Sequence, residues 1–149
     1  MFKIIPFQKE YRDDTIFCIL LAKDAKGKIP RLNEDLLDIQ KNYFEKNDIF
    51  YIAVNEDNRV IGMLGTNTVS ATDMWLKRLY VKPDMKRKGL GSALLTAVEE
   101  YAKAKGIVTV HTRFSDDYNE APYFYLSRGF VEIERNEGLR HLIKNIAEF

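Results

Sequence analysis

One helical segment, Gly91 to Ala104, lies between two strand-like segments, and this arrangement constrains the fold more than any other feature. Its apolar residues recur with a period of 3.6, and Gly106 ends the pattern. The periodic residues are Leu94, Leu95, Val98, Tyr101 and Ala102. The segment Met74 to Val81 before the helix and Ile107 to Thr112 after it are short and rich in β-branched or aromatic residues. The alternation predicts an α/β fold.

The other segments extend this alternation along the whole chain. Further strands are predicted at Phe2 to Ile5, Ile49 to Val54, Val60 to Thr66, Phe130 to Ile133 and Leu139 to Ile143. Further helices are predicted at Lys9 to Lys23, from a cap at Asn33 through Phe44, and at Glu120 to Ser127. The predicted order is βααβββαβαββ, with a mixed central sheet flanked by helices. We expect one domain over residues 1–149, because no linker or repeat interrupts the pattern.

Charge and cysteine content exclude several functional classes. The 149 residues include 23 Lys plus Arg and 22 Asp plus Glu, a net charge of +1. A nearly neutral chain has no overall attraction for nucleic acid or an anionic membrane, so neither partner is expected. With one Cys and two His, the sequence predicts neither an internal disulfide nor a metal site.

The compartment can be predicted from the same features. Four charged residues lie within the first twelve, which excludes an apolar signal-peptide core at the amino terminus. The longest apolar run, Ile16 to Ala22, is far shorter than the roughly 20 residues that span a bilayer. We therefore expect a cytoplasmic protein.

The segment Val81 to Ser92 is the most informative for function. It joins the end of a strand to a basic loop and two glycines that open the strongest helix. Helix amino termini leave N–H groups unpaired and carry partial positive charge, while glycines allow a phosphate to approach the backbone. These features favour a pyrophosphate site. The alternative is that the glycines only start the helix and the lysines form a solvated face. The P-loop and Rossmann patterns do not match.

Two motifs here resemble those of the GNAT N-acetyltransferase superfamily. The first is Leu79-Tyr80-Val81-x-Pro83 followed by Lys86-x-x-Gly89-x-Gly91, which is similar to the family's acetyl-CoA signature. The second is Asn119-x-Ala121-x-x-Phe124-Tyr125-x-x-x-Gly129-Phe130, which resembles the family's later motif. Lys86 stands where the family has Arg or Gln, and Asn119 lies one residue closer to the Ala than in the family. The predicted element order is also that of the family.

The resemblance implies a role for each matched residue. Backbone groups of Leu79, Tyr80 and Val81 would bind the pantetheine arm of acetyl-CoA, and an N–H near Leu79 would donate to the thioester carbonyl. The remaining residues implied to bind the cofactor are Lys86, Arg87, Lys88, Gly89, Leu90, Gly91, Ser92 and Asn119. Tyr125 matches the family's general acid. From the residues alone an aromatic core with Tyr118, Tyr123 and Phe124 is the favoured interpretation, and only the motif match favours the catalytic role of Tyr125.

The sequence identifies no general base with the same clarity. Asp73 is a candidate, although a turn residue is the simpler interpretation, and a water chain would also serve. His111 and His141 lie within strand patterns and are interpreted as structural.

Two functions remain open at this point. The first is an acyltransferase that moves an acetyl group from acetyl-CoA to a primary amine of a small molecule, an amino acid or a protein, acting as a monomer or homodimer without a metal. Its acceptor cleft would be lined by Ile29, Pro30, Arg31 and Tyr43. The second is a non-catalytic module that senses acyl-CoA or mediates an interaction.

Overall fold

The strands and helices follow one another in the order predicted from the sequence. The computed structural model describes residues 1–25, 33–86, 88–118 and 120–147. Within these ranges the strands are β1 (Phe2–Pro6), β2 (Phe50–Asn55), β3 (Val60–Thr68), β4 (Asp73–Val81), β5 (Thr109–Ser115), β6 (Val131–Asn136) and β7 (Leu139–Asn145). The helices are α1 (Arg12–Ala25), α2 (Ile39–Asn42), α3 (Leu90–Ala104) and α4 (Ala121–Leu126).

The strands hydrogen-bond in the order β1-β2-β3-β4-β5-β7-β6. β4 and β5, which α3 connects, are parallel, whereas β1 and β2, β2 and β3, β5 and β7, and β6 and β7 are antiparallel pairs. A sheet of both pairing types flanked by helices is the mixed α/β class that the sequence predicted.

The chain divides into two compact units, and β4 contributes to both. The first unit comprises Met1–Asn67 and Lys77–Glu100. Its core joins the apolar faces of α1 and α2 to strands β2 and β3. The buried residues of this cluster are Phe7, Cys18, Ile19, Leu36, Ile39, Tyr43, Phe50, Ile52, Val54, Val60 and Met63.

Helix α3 packs on β3 within this unit. Leu94 is fully buried, and a Cβ placed on Gly62 of β3 would lie 3.4 Å from its side chain and 3.2 Å from the carbonyl oxygen of Tyr80. A larger side chain at Gly62 would therefore separate the helix and β4 from the strand. This close packing fixes the position of the amino-terminal end of α3.

The second unit comprises Thr68–Leu76 and Tyr101–Phe149. An aromatic group forms part of its core: the ring of Tyr125 lies 5.7 Å from that of Phe114 and 5.2 Å from that of Phe130, measured between centroids. Val110 and Leu142 are fully buried on β5 and β7.

The second predicted helix is interrupted, which corrects the prediction of one continuous helix from Asn33 through Phe44. Glu34–Leu36 and Phe44–Lys46 are single 3₁₀ turns, and α2 between them has only four residues. Asn33 makes no side-chain cap, whereas Asp38 accepts a hydrogen bond from the Lys41 N–H. Because an Asp side chain that caps mid-segment competes with the helical backbone, the helix restarts at this residue.

Candidate active site

The predicted phosphate-binding segment lies in the first unit, where β4 leads into α3. After β4 ends at Val81, a 3₁₀ turn over Pro83–Met85 turns the chain, and Gly89 precedes the helix with φ +83. This left-handed conformation favours glycine strongly. A Cβ on Gly89 would meet no atom within 4 Å, so the backbone there is open to an approaching group.

The amino terminus of α3 presents backbone N–H groups at this point. The N–H of Ala93 bonds to the carbonyl of Gly89 at 3.0 Å, so Leu90, Gly91 and Ser92 lie in the first turn, where N–H groups have no partner within the helix. Leu90 is 1% exposed and anchors the helix end. Of the basic residues, Lys88 is exposed and Lys86 is half-buried, whereas Arg87 lies outside the described residues. The helix end, the open glycine and the lysines are compatible with an anionic ligand.

The end of β4 contains a backbone irregularity that sequence analysis did not predict. Arg78 has φ +64, the left-handed region that non-glycine residues adopt rarely. Leu79, Tyr80 and Val81 follow it and are half-buried. Such a residue inside a strand changes the direction of the backbone that follows, here the three residues predicted to bind pantetheine.

The side chain of Arg78 is held by two residues of the α2 region. Its guanidinium donates to Asp35 with N–O distances of 2.9 and 3.2 Å, and the Tyr43 hydroxyl donates to the same carboxylate at 2.5 Å. Burial alone would raise the pKa of Asp35, but hydrogen bonds from Arg78 and Tyr43 lower it overall. We call these three residues the Arg78 clamp.

Of the four residues predicted to line the acceptor cleft, Tyr43 lies in the described part of the chain. Tyr43 is 2% exposed and belongs to the core and the clamp, so the prediction that it lines an open cleft is wrong. Packing against Phe50, with ring centroids 5.0 Å apart, accounts for its burial. Ile29, Pro30 and Arg31 lie outside the described residues.

Tyr125, the predicted general acid, lies on α4 in the second unit. It is 6% exposed, within the aromatic core described above. Burial raises the pKa of its phenol to about 12, and a hydrogen bond from Thr112 opposes this rise. The group is therefore protonated at neutral pH, as both a proton donor and a core tyrosine would be. Asn119 lies outside the described residues.

Asp73, His111 and His141, which the sequence left separate, form one hydrogen-bonded chain in the second unit. His111 Nε2 lies 2.6 Å from Asp73 Oδ2, and His111 Nδ1 lies 2.9 Å from His141 Nε2. Asp73 also accepts a hydrogen bond from the Thr72 hydroxyl at 2.6 Å. The partners are 38 and 30 residues apart, so no local pattern could have joined them.

The described residues contain neither a metal-binding cluster nor a membrane-spanning helix. In the ranges given above, no three His, Cys, Asp or Glu side chains are grouped so that they could hold a metal ion. Over the same ranges, every helix is too short or too polar to cross a membrane.

Comparison with known proteins gives consistent matches. The model of the acetyltransferase (GNAT) family matches residues 10–130. The spermidine N(1)-acetyltransferase of Thermoplasma acidophilum is 30% identical over 132 residues, covering 86% of this chain and 74% of that protein. The chain spans only about half the length of two curated N-acetyltransferases from Xenopus that it also matches, 54% of one and 45% of the other.

Solved structures support the fold assignment. A GNAT-family acetyltransferase from Staphylococcus aureus superposes with a TM-score of 0.90 at 24% identity, covering 99% of this chain and 100% of that one. The PaiA N-acetyltransferase of T. acidophilum, solved with coenzyme A, superposes with a TM-score of 0.79 at 21% identity, covering 97% and 99%. At these identities the likeness concerns the fold alone. Together with the family match over residues 10–130, it establishes that the chain belongs to the acetyltransferase (GNAT) family.

Proposed function

We propose that this chain is an acetyl-CoA-dependent N-acetyltransferase that acetylates a primary amine, with residues 1–149 acting as one catalytic domain. The observation that carries the proposal is the junction of β4 and α3. There an open Gly89 at φ +83 precedes the first-turn N–H groups of a 15-residue helix, with lysines on the same loop. This arrangement suits the pyrophosphate of coenzyme A, because helix dipole and backbone donors act on the same anion.

The residues proposed to hold the cofactor are those that the motifs identified. N–H groups of Leu90, Gly91 and Ser92 would bind the pyrophosphate, and Lys86, Arg87 and Lys88 would attract it. Backbone groups of Leu79, Tyr80 and Val81 would bind the pantetheine arm, and Asn119 would make a further contact. Acetyl-CoA supplies an activated acyl group as a thioester. The Arg78 clamp supports this assignment, because it holds the residue just before Leu79, whose N–H would donate to the thioester carbonyl.

Tyr125 is the proposed proton donor to the departing thiolate. Its hydroxyl is protonated at neutral pH and so carries a proton to donate, although burial, which raises its pKa to about 12, makes it a weaker acid than an exposed tyrosine. Its burial among Phe114, Phe124 and Phe130 is the specific observation that favours the second candidate, a non-catalytic acyl-CoA sensor. A sensor would keep the same tyrosine as packing only.

The acceptor class is proposed from the relatives. One is named a spermidine acetyltransferase, and neighbours of the same fold are named for amine substrates that include a protein alanine and an aminoglycoside. A primary amine is common to all of them.

The test has two stages that separate binding from catalysis. Thermal shift with acetyl-CoA should raise the Tm, because a ligand that binds only the folded state stabilises it. Thiol release should then be measured over a panel of spermidine, free amino acids, amino-terminal peptides and lysine peptides. Binding without release for any amine would favour the sensor. No binding in a folded protein would exclude both functions.

A further inference from the structure

The hydrogen-bonded chain of Asp73, His111 and His141 ends at a small cavity in the second unit. The cavity has a volume of about 160 Å³. Its lining residues are Arg113, Glu134, Asn136, Glu137, Leu139 and His141. His141 therefore connects a space that a small ligand group can enter to two partners behind it. The motifs that identified the family include none of these residues.

The chemistry of each group determines which atom donates at each step of the hydrogen-bonded chain. Because a carboxylate only accepts, His111 Nε2 carries a hydrogen and donates it to Asp73. In the neutral imidazole, His111 Nδ1 is then an acceptor, so His141 Nε2 donates to it. The remaining nitrogen of His141, Nδ1, holds a lone pair and can accept a proton. The arrangement matches that of a general base oriented by a second group.

Packing holds the three groups in this geometry. Both imidazole rings stack on the indole of Trp75 with centroids 4.8 Å away, at interplanar angles of 21° and 24°. The guanidinium of Arg113 lies 4.9 Å from the Trp75 ring centroid. The His111 side chain is only 15% exposed. Rings fixed on one side by an indole have few alternative rotamers, so the distances between donors and acceptors are maintained.

Charged groups around His141 favour a neutral imidazole and a cationic ligand. Burial lowers the pKa of His141, as do His111 and Arg113, while Glu134 opposes the change. His141 is thus largely unprotonated at neutral pH, as a proton acceptor must be. The cavity lining contains two carboxylates, Glu134 and Glu137, and one guanidinium, that of Arg113, which favours a cation such as an alkylammonium.

We propose that this cavity receives the ammonium group of the acceptor and that His141, positioned by His111 and Asp73, removes its proton. The inference rests on the proposed function. In the step, an N–H bond of R–NH₃⁺ breaks and the proton bonds to His141 Nδ1. The hydrogen on His141 Nε2 moves to His111 Nδ1, which leaves an imidazolium hydrogen-bonded to the Asp73 carboxylate.

The protons balance over the whole reaction. The freed amine lone pair forms the new C–N bond as the C–S bond breaks. The nitrogen loses a second proton, which matches the proton that the thiolate takes up. The proton stored on His111 passes back through His141 to solvent, so one proton is released for each amide formed. Asp73 is a positioning residue here, because it acts through His111.

The first test compares kcat/KM as a function of pH in the parent, His141→Gln and Asp73→Asn, with the amine that the thiol-release panel identifies. His141→Gln should lower kcat/KM by about 10²-fold or more, since positioned base catalysis contributes about 10²–10⁴-fold. It should also remove the acidic limb of the profile, and added imidazole should restore part of the rate. Asp73→Asn should move the acidic limb to lower pH, because a neutral amide stabilises the imidazolium less.

Controls separate this inference from the proposed function. Lys103→Gln, an exposed change on α3 in the same unit, should leave the profile unchanged. Calorimetry should show that His141→Gln binds acetyl-CoA like the parent. If the parent turns over and His141→Gln keeps its rate and pH profile, the inference fails and the enzyme assignment stands. If the parent acetylates no amine, both fail.

A second readout is independent of turnover. Ring ¹⁵N resonances of the parent should show His141 protonated at Nε2 and unprotonated at Nδ1 at neutral pH, and spermidine should shift the Nδ1 signal selectively. Because it uses the parent protein, this measurement stands even if a variant fails to fold. A His141 ring protonated at Nδ1 in the parent, or one whose resonances are insensitive to spermidine, would overturn the proposal.

Discussion

Gly89 and Gly91, near the start of α3, have different backbone conformations. This difference determines which of them can be substituted to test the cofactor site. At Gly89, φ +83 makes any side chain strained, with a cost of about 1–2 kcal/mol before any ligand is considered. Gly91 is the second residue of α3, so its backbone has the right-handed helical conformation that any L-residue can adopt. A substitution at Gly91 therefore gives the clearer result.

We predict that Gly91→Val abolishes measurable acetyl-CoA binding while the fold is retained. The new side chain would occupy the space that the pyrophosphate needs beside the first-turn N–H groups. Calorimetry would measure affinity and circular dichroism the fold. Thr96→Val, on the exposed face of the same helix, is the matched control and should bind normally. Unchanged affinity in folded Gly91→Val would disprove the site.

Tyr125→Phe tests the proposed proton donor. Loss of the hydroxyl should lower kcat by up to about 10²–10⁴-fold, and by less if amine attack limits the rate. Acetyl-CoA affinity should change little. The lost hydrogen bond with Thr112 should cost about 1 kcal/mol of stability. A Phe variant with weaker cofactor binding and lower Tm but full turnover would show instead that Tyr125 is a core aromatic.

At the scale of elements, the Arg78 clamp connects the α2 region to β4. Arg78 has a left-handed backbone conformation inside a strand, which costs conformational free energy. Its hydrogen bonds to the partly buried carboxylate of Asp35 offset that cost. Asp35→Asn should therefore destabilise the protein by about 1.5–3 kcal/mol, the range for hydrogen bonds to charged groups. Asp13→Asn, which changes a carboxylate that is 94% exposed, should have a much smaller effect, because an exposed ion pair contributes little.

The stability difference between the parent and Asp35→Asn should depend on pH. The pKa of Asp35 is lowered in the folded state, so the carboxylate contributes fully above its unfolded pKa of about 3.9. That contribution disappears as the pH falls through the lower folded value. Urea unfolding at pH 7, 5 and 3 should show a constant difference at the first two and a smaller one at pH 3. A difference that grew in acid would contradict the clamp.

The basic loop before α3 should act by screened attraction. Single Ala changes at Lys86, Arg87 and Lys88 should weaken acetyl-CoA binding modestly, because three neighbouring positive charges are partly redundant. The triple change should weaken binding strongly. It should also reduce the dependence of Kd on salt concentration between about 50 and 500 mM. A triple variant that binds like the parent would mean that these residues form only a solvated face.

At the scale of the whole molecule, Cys18 reports on global unfolding. It is fully buried in the first unit, and burial raises the pKa of its thiol to about 12. Burial blocks access of the reagent and the raised pKa suppresses thiolate formation, so Ellman's reagent should label the native protein only through opening of that core. The labelling rate should rise in parallel with unfolding in urea. Fast labelling in native buffer would contradict the burial of this residue.

The sequence by itself determined the element order, because each signal is local. Apolar periodicity identified α3 to within one residue of its start, and five of the seven described strands end within two residues of the predicted ends. Strands β5 and β6 extend three residues further than predicted, to Ser115 and Asn136. The region after Asn33 was the exception, since a carboxylate at Asp38 caps a new helical turn in a segment with continuous helical periodicity. The motif residues Gly89 and Gly91 were also identifiable, because helix-end chemistry depends on adjacent residues.

Only the tertiary structure brought together groups that are distant in the chain. Parallel pairing of β4 with β5 sets Trp75 opposite His111, and antiparallel pairing of β5 with β7 sets His141 opposite Arg113. Residues two apart on a strand share a face, so His111 and Arg113 lie on the same face of β5. Trp75 from β4 and His141 from β7 are brought to that face by these pairings. Sheet register depends on the packing of the whole core rather than on local spacing. This is why two histidines that read as structural in the sequence form a hydrogen-bonded chain with Asp73.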